Sequence, residues 1–346
     1  MSNIFVCGCG AISPAGWGVA PLREALGRGE PIPMKELTRP GWTQPLRVRA
    51  VPVPPQRPSF LTHARLRRTS SIAQQSVGAA LEALGEDASK VANGSLRLGV
   101  VLCVMSGCVN YSRRFYDEVL KDPGTASPLV FPETVFNAPA SHLAALLGTT
   151  AINYTLVGDP AAFLQGLALA ADWVLSERVE GCLVVGAEEM DWLTTDAFRL
   201  FARKVVLSDG AGALYLRRQP DPEAVVELRA VTQTHLFSKK QTRAQAARRA
   251  QAELGPGGSD FLLCDGLQGL PHLDRAEQSA WADWTGARLS PKTVLGEGLM
   301  AAAAWQCVAA VDALRQGLYS AANVSLVGCN QQAVAAQFVR NSCASS

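Results

Sequence analysis

The sequence predicts an α/β fold whose sheets are buried under helices, laid out as two successive units. Three observations lead there. Several apolar runs have the length of a strand and lack polar alternation, as expected of strands covered on both faces. The middle of the chain alternates strand, helix and strand. The chain has 346 residues, 48% of them apolar. That is too apolar for a disordered chain and long enough for two domains or one duplicated unit.

The elements follow in order. Ile4–Cys7 reads as a strand that Gly8, Gly10, Ser13, Pro14 and Gly16 break. Val19–Leu26 reads as a short helix, and the Pro-rich VPVPPQRPSF as a connector. In the stretch from Arg67 to Leu84, Ile72, Val77, Ala80, Leu81 and Leu84 share one helical face. Leu98–Val104 is a continuous apolar strand, and INYTLV (152–157) reads as a strand. GDP then turns the chain, with Pro160 near the first position of an apolar helix over 161–176. CLVVGAEE (182–189) and GAGALYL (210–216) read as strands. RRQPDPEA, with two prolines and several charges, reads as a joint between halves 1–218 and 222–346. Beyond it come VVELRAVTQT, a charged Ala-rich helix, DFLLCDGL, an Ala-rich helix over 299–314, and VSLVG. Identity between the halves is too low to demonstrate a repeat from sequence.

Composition narrows the chemistry. A net charge of +2 lacks the electrostatic footprint of a nucleic-acid binder. Four histidines (His63, His142, His235 and His272) limit any mechanism that needs several imidazoles. The nine cysteines, Cys7, Cys9, Cys103, Cys108, Cys182, Cys264, Cys307, Cys329 and Cys343, include no CxxC pair or zinc spacing. Most lie in apolar runs, and they read as buried, reduced thiols. MSNIFVCGCG lacks a basic n-region and a cleavage site, and GLMAAAAWQCVAAV falls short of the ~20 residues that span a bilayer. A cytoplasmic protein with no membrane span, no metal and no cofactor is expected.

Eight segments in order carry a family resemblance: GAISPAGWGVAPLREALGRGE, LRRTSSIAQQSVGAALEAL, NAPASHLAALLGTTAINYTL, LALAADWVLSERVEGCLVVGAEEM, SDGAGALYL, GLQGLPHLDRAEQSAW, PKTVLGEGLMAAAAWQCVAAVDALRQG and VSLVGCNQQAV. Together they resemble the β-ketoacyl synthases, with loops trimmed between Met190 and Ser208. The resemblance implies a thiolase-like, duplicated, five-layered αβαβα fold. It also implies decarboxylative condensation by a helix-terminal Cys and two basic side chains, usually His, supported by a Lys and a Gly-rich loop bearing Phe. The family's Thr-Ala-Cys turn falls on GDPAAF, which puts Pro160 at the nucleophile position. The first His falls on Gly266 in GLQGL, ahead of Asp274 and Glu277; the second falls on Glu297 in GEGLMA. The Phe falls on Leu326, whereas Lys292 and Asn330 are kept. Four losses inside otherwise matching blocks imply a ketosynthase fold without ketosynthase chemistry.

The resemblance implies a partner of an active ketosynthase, similar to the chain-length factors of type II systems. Those carry Gln at the Cys position, where here only Gln165 is near. The alternatives are a decarboxylase or acyltransferase using Glu297, Lys292 or Cys329, and a scaffold that binds acyl-carrier protein. Cys103 and Cys108 read as buried packing, His272 as a surface or supporting residue. Cys329, in the altered loop, either packs or faces the pocket. Glu297 either pairs with Lys292 or acts as a base. Lys239, Lys240, Arg243, Arg248 and Arg249 read as a solvated helix face or a dock for acidic carrier protein. Phe115, Phe131 and Phe136 read as interface packing or as caps on a partner's acyl tunnel.

Overall fold

The computed structural model describes residues 3–219 and 225–341. Cys343 and residues 220–224 of the expected joint lie outside the described residues. Five strands build the first half: β1 (Phe5–Ser13), β2 (Leu98–Val104), β3 (Asn153–Val157), β4 (Gly181–Glu188) and β5 (Gly210–Arg217). Five build the second: β6 (Val226–Val231), β7 (Phe261–Cys264), β8 (Ala287–Leu289), β9 (Ala321–Val327) and β10 (Gln332–Arg340).

The two halves repeat one topology. The first runs β3-β2-β4-β5-β1 and the second β8-β7-β9-β10-β6, so both place their strands third, second, fourth, fifth, first. Within each half the second strand is parallel to the third and fourth, and the fourth and fifth are antiparallel. β1 pairs antiparallel with β6, Phe5 opposite Glu227, and joins both halves into one sheet path. Repeated order and direction establish the duplication that residue identity alone did not.

Nine helices are used below: α1 (Val19–Arg28), α2 (Ser71–Leu84), α3 (Val109–Lys121), α4 (Ala138–Leu147), α5 (Ala162–Leu175), α6 (Trp192–Arg199), α7 (Arg243–Leu254), α8 (Pro271–Ala280) and α9 (Met300–Arg315). They complete five layers. α2 and α4 cover one face of the first sheet, α5 and α9 lie between the sheets, and α7 and α8 cover the second. Strand β4 shows why its residues are apolar throughout. Cys182 and Val184 point into the central layer, while Leu183 and Val185 point into the outer core. Every residue of α9 from Met300 to Leu314 is buried, as an all-round apolar helix requires.

Two expectations are corrected. β1 does not break at Gly8 and Gly10 but continues to Ser13. A Cβ on Gly8 would lie 1.7 Å from the Ala83 carbonyl oxygen, and one on Gly10 would lie 2.0 Å from that of Ala79. These glycines let α2 settle backbone-close on the strand. Nor is every strand of the expected buried sheets covered. β3 is a sheet edge, with Tyr154 and Val157 more than half exposed.

Candidate functional site

The chain ends of both half-sheets meet around a cavity of about 660 Å³. From the first half, β3 stops at Val157, and the turn 158–161 leads into α5. Pro160, which has no N–H to lose, faces the cavity there. From the second half, Gly266 follows β7, Lys292 sits on the short helix Pro291–Leu295, Glu297 follows it, and Cys329 and Asn330 follow β9. All six sequence-derived positions line one cavity.

Its floor is a hydrogen-bonded ion pair. Lys292 Nζ donates to Glu297 Oε2 at 2.7 Å, with both side chains under 8% exposed. Gln268 Nε2 donates to the same oxygen at 2.8 Å, and the Leu299 N–H donates to Oε1 at 2.8 Å. Leu299 holds a left-handed φ of 50°, a conformation costing about 1–3 kcal/mol for a side-chain-bearing residue. A Cβ on Gly266 would lie 3.1 Å from a Glu277 carboxyl oxygen and 3.7 Å from Lys292 Nζ. Space that an imidazole would need is therefore held by the Glu277 carboxyl and the Lys292 ammonium. Glu277 accepts from the Gly266 N–H at 3.1 Å, and Asp274 accepts from those of Gln268 and Leu270. Burial, helped by the nearby Asp265 charge, pushes the Glu277 carboxyl up to about 7.

No thiol here is activated. Cys329 lies 4.0 Å from the Met105 sulfur, and burial pushes its thiol up to about 12. Burial also pushes up Cys103, inside β2, and raises Cys108, before α3, to about 12. His272 is exposed and does not line the cavity. Gln165 does not line it either; its amide donates to Thr234 Oγ1 at 2.7 Å. Leu326 is buried in the central core, and the neighbouring Val327 lines the cavity instead.

The basic set divides. Lys239, Lys240, Arg248 and Arg249 are exposed. Arg243 is half-buried, lines the cavity, and donates to the carbonyls of Val327 and Cys329 at 3.3 and 3.5 Å. The phenylalanines lie elsewhere. Phe115 packs on Phe131 at 5.5 Å between centroids, and Phe131 and Phe136 are about half exposed.

Four features escaped the sequence reading. Asp159 accepts from the N–H groups of Ala161, Asn330 and Gln331 at 2.9–3.1 Å, tying the nucleophile turn to the loop after β9. Gly328 packs so close that its Cβ would fall 1.5 Å from Asp159 Oδ1. An Asp three residues before the start of α5 was the available signal. Gln268 carried no signal. The α6 wall, with Leu193, Phe198 and Phe201, lies in the stretch read only as trimmed loop. Glu188, at the acidic end of β4, was visible as a residue but not as a support. It accepts from the N–H groups of Met105 and Ser106, and burial pushes it up to about 8. Among the described residues no group of three or more His, Cys, Asp or Glu side chains could hold a metal ion, and no helix is long and apolar enough to cross a membrane.

Comparisons agree with this architecture. The family model for 3-oxoacyl-[acyl-carrier-protein] synthase III matches residues 159–234. A β-ketoacyl-[acyl-carrier-protein] synthase III of Rickettsia rickettsii (strain Sheila Smith) is 32% identical over 101 residues, spanning 28% of this chain and 30% of that relative's length. Among solved structures, the ishigamide ketosynthase/chain length factor superposes with a TM-score of 0.78 at 19% identity, covering 98% of this chain and all of that one. The ketosynthase ApeO in complex with its chain length factor ApeC, from Xenorhabdus doucetiae, gives 0.77 at 14% identity, covering 98% of both chains. The chain therefore has the thiolase-like fold of the β-ketoacyl synthases.

Proposed function

We propose that this chain is a non-condensing, ketosynthase-type subunit that pairs with an active ketosynthase, in the manner of a chain-length factor. The reading extends to a cytoplasmic type II pathway of the polyketide or fatty-acid-like kind, such as aryl-polyene assembly. One observation carries it. Pro160, Gly266 and Glu297, the positions on which the resemblance places the thiol and the two imidazoles, line one cavity together. Glu297 already accepts from three donors, which leaves it poorly placed to act as a base. Likeness to ketosynthase and chain-length-factor structures supports the assignment.

The same reading gives the exposed surfaces a use. β3 is a sheet edge with Tyr154 and Val157 exposed on it, and Phe131 and Phe136 are exposed as well. A partner strand and apolar cover would satisfy it. Phe115 supports Phe131 from behind. Lys239, Lys240, Arg248 and Arg249 offer an acidic carrier protein a landing surface beside Arg243. The test is co-expression with a Cys-containing ketosynthase encoded beside it, followed by size-exclusion chromatography. A 1:1 complex is expected. A stable homodimer with no affinity for the ketosynthase would overturn the proposal.

A further inference from the structure

The floor of the cavity holds no unmatched cation for another anion. Lys292 is matched by Glu297 at 2.7 Å. Asp274 and Glu277 add two carboxyls, held by backbone N–H groups and, for Glu277, by the Ser325 hydroxyl as well. Arg243, the other cation in the lining, is half-buried at the start of α7 and donates to two backbone carbonyls, which leave its charge unmatched by any carboxylate among the described residues. A carboxylate reaching the floor would lose its hydration, meet an ammonium already neutralised, and face two further carboxyls. The opposite wall is apolar, built from Leu193, Phe198, Phe201, Val205, Met105 and Val109. Volume and lining suit a chain of eight to ten carbons, roughly, bearing one neutral polar group.

We propose that this cavity holds, without covalent attachment, an apolar chain carrying an uncharged hydrogen-bonding group, and that Glu297 makes it refuse a carboxylate. This rests on the reading of the chain as non-condensing and names what that emptied site accepts. Glu297 is a specificity-determining residue: it consumes the charge of Lys292 that a carboxylate would otherwise use. The lining amides of Gln268 and Asn330 supply neutral donors and acceptors.

Octanamide and octanoate are isosteric and differ in the charge of the head. Their binding is compared by ligand-observed NMR at pH 8 on the wild type, Glu297→Gln and Phe198→Ala, with circular dichroism checking each fold. Octanamide is expected to bind at least tenfold tighter than octanoate to the wild type. Glu297→Gln should abolish or reverse that preference, because Lys292 then lacks its partner. Phe198→Ala should weaken octanamide severalfold, which localises the chain to the α6 wall. Equal or tighter octanoate binding to the wild type, an unchanged ratio in Glu297→Gln, or no binding of octanamide overturns the inference. Phe198→Ala keeps the test decisive should Glu297→Gln fail to fold, since undiminished octanamide binding would place the ligand elsewhere. Complex formation with a ketosynthase is measured separately, so either proposal can fail while the other stands.

Discussion

Breaking the Lys292–Glu297 pair is expected to cost more than removing it whole. Both side chains are under 8% exposed and lie 2.7 Å apart. Losing one partner of a buried pair leaves an uncompensated charge, at about 3–5 kcal/mol. The structure points to the low end. In Lys292→Met, Glu297 keeps Gln268 and the Leu299 N–H as donors. In Glu297→Gln, Lys292 keeps the attraction of the Glu277 carboxyl. Each single variant should therefore lose about 3 kcal/mol, and the double variant no more than either alone, because Met and Gln leave no buried charge at these two positions. The resulting coupling, about 3 kcal/mol, is at the top of the range for contacting residues. Urea unfolding of the four proteins, followed by tryptophan fluorescence at pH 7, measures it. Repeating the series in 0.5 M salt should change the coupling little, since buried pairs are weakly screened. Single variants losing under about 1 kcal/mol, or strictly additive losses, would show that Lys292 and Glu297 are solvated rather than locked together, and the account of the cavity floor would fall.

Incubation with octanoyl-carrier protein should leave the intact mass unchanged. Pro160→Cys should create a thiol at the start of α5 that iodoacetamide labels faster than Cys329, yet restore no condensation, because Gly266 and Glu297 still lack imidazoles. Glu188 is pushed up to about 8 from an ordinary value near 4.5. The folded state thus favours its neutral form, and the stability this brings is present in full below about 4.5 and lost as pH rises through 8. Unfolding free energies measured from pH 5 to 8.5 should fall more steeply in the wild type than in Glu188→Gln. Val157→Lys on the exposed edge of β3 should abolish the ketosynthase complex in size-exclusion chromatography while leaving the melting temperature within about 2 °C, as surface substitutions usually do. The double reversal Lys240→Glu/Arg249→Glu should weaken carrier-protein binding at least tenfold at low salt, with a smaller effect at 0.5 M salt, by surface plasmon resonance.

The strands that were easiest to read are those with both faces covered. Leu98–Val104 and Gly181–Glu188 bury every residue, so unbroken apolarity was a sufficient signal. β1 was cut short because glycine marks a turn locally but here serves a contact with α2, some seventy residues away in sequence. β3 was legible as a strand and not as a sheet edge, because its place in the sheet is set by topology rather than by its own residues. The site was legible as positions and not as a network. Pro160, Gly266, Lys292 and Glu297 could be located, but Asp159 and Gln268 act through partners that only the fold brings near: Asn330 and Gln331 for Asp159, and Glu297 for Gln268. The α6 wall was hidden for another reason. Leu193 and Phe201 are exposed, and an apolar side chain that covers a cavity carries no core periodicity.

The groups lining the cavity support one another. Gly266 leaves space, and Glu277 and Lys292 reach into it. The Glu297 carboxylate neutralises that lysine, which unopposed would be a costly buried charge. Asp159 clamps the loop after β9, where Gly328 makes room for it. None of these side chains belongs to the three apolar core clusters that hold the five layers together. The lining of the cavity can therefore vary while the sheets and the exposed edge of β3 persist, which is the combination that the proposed pairing subunit requires.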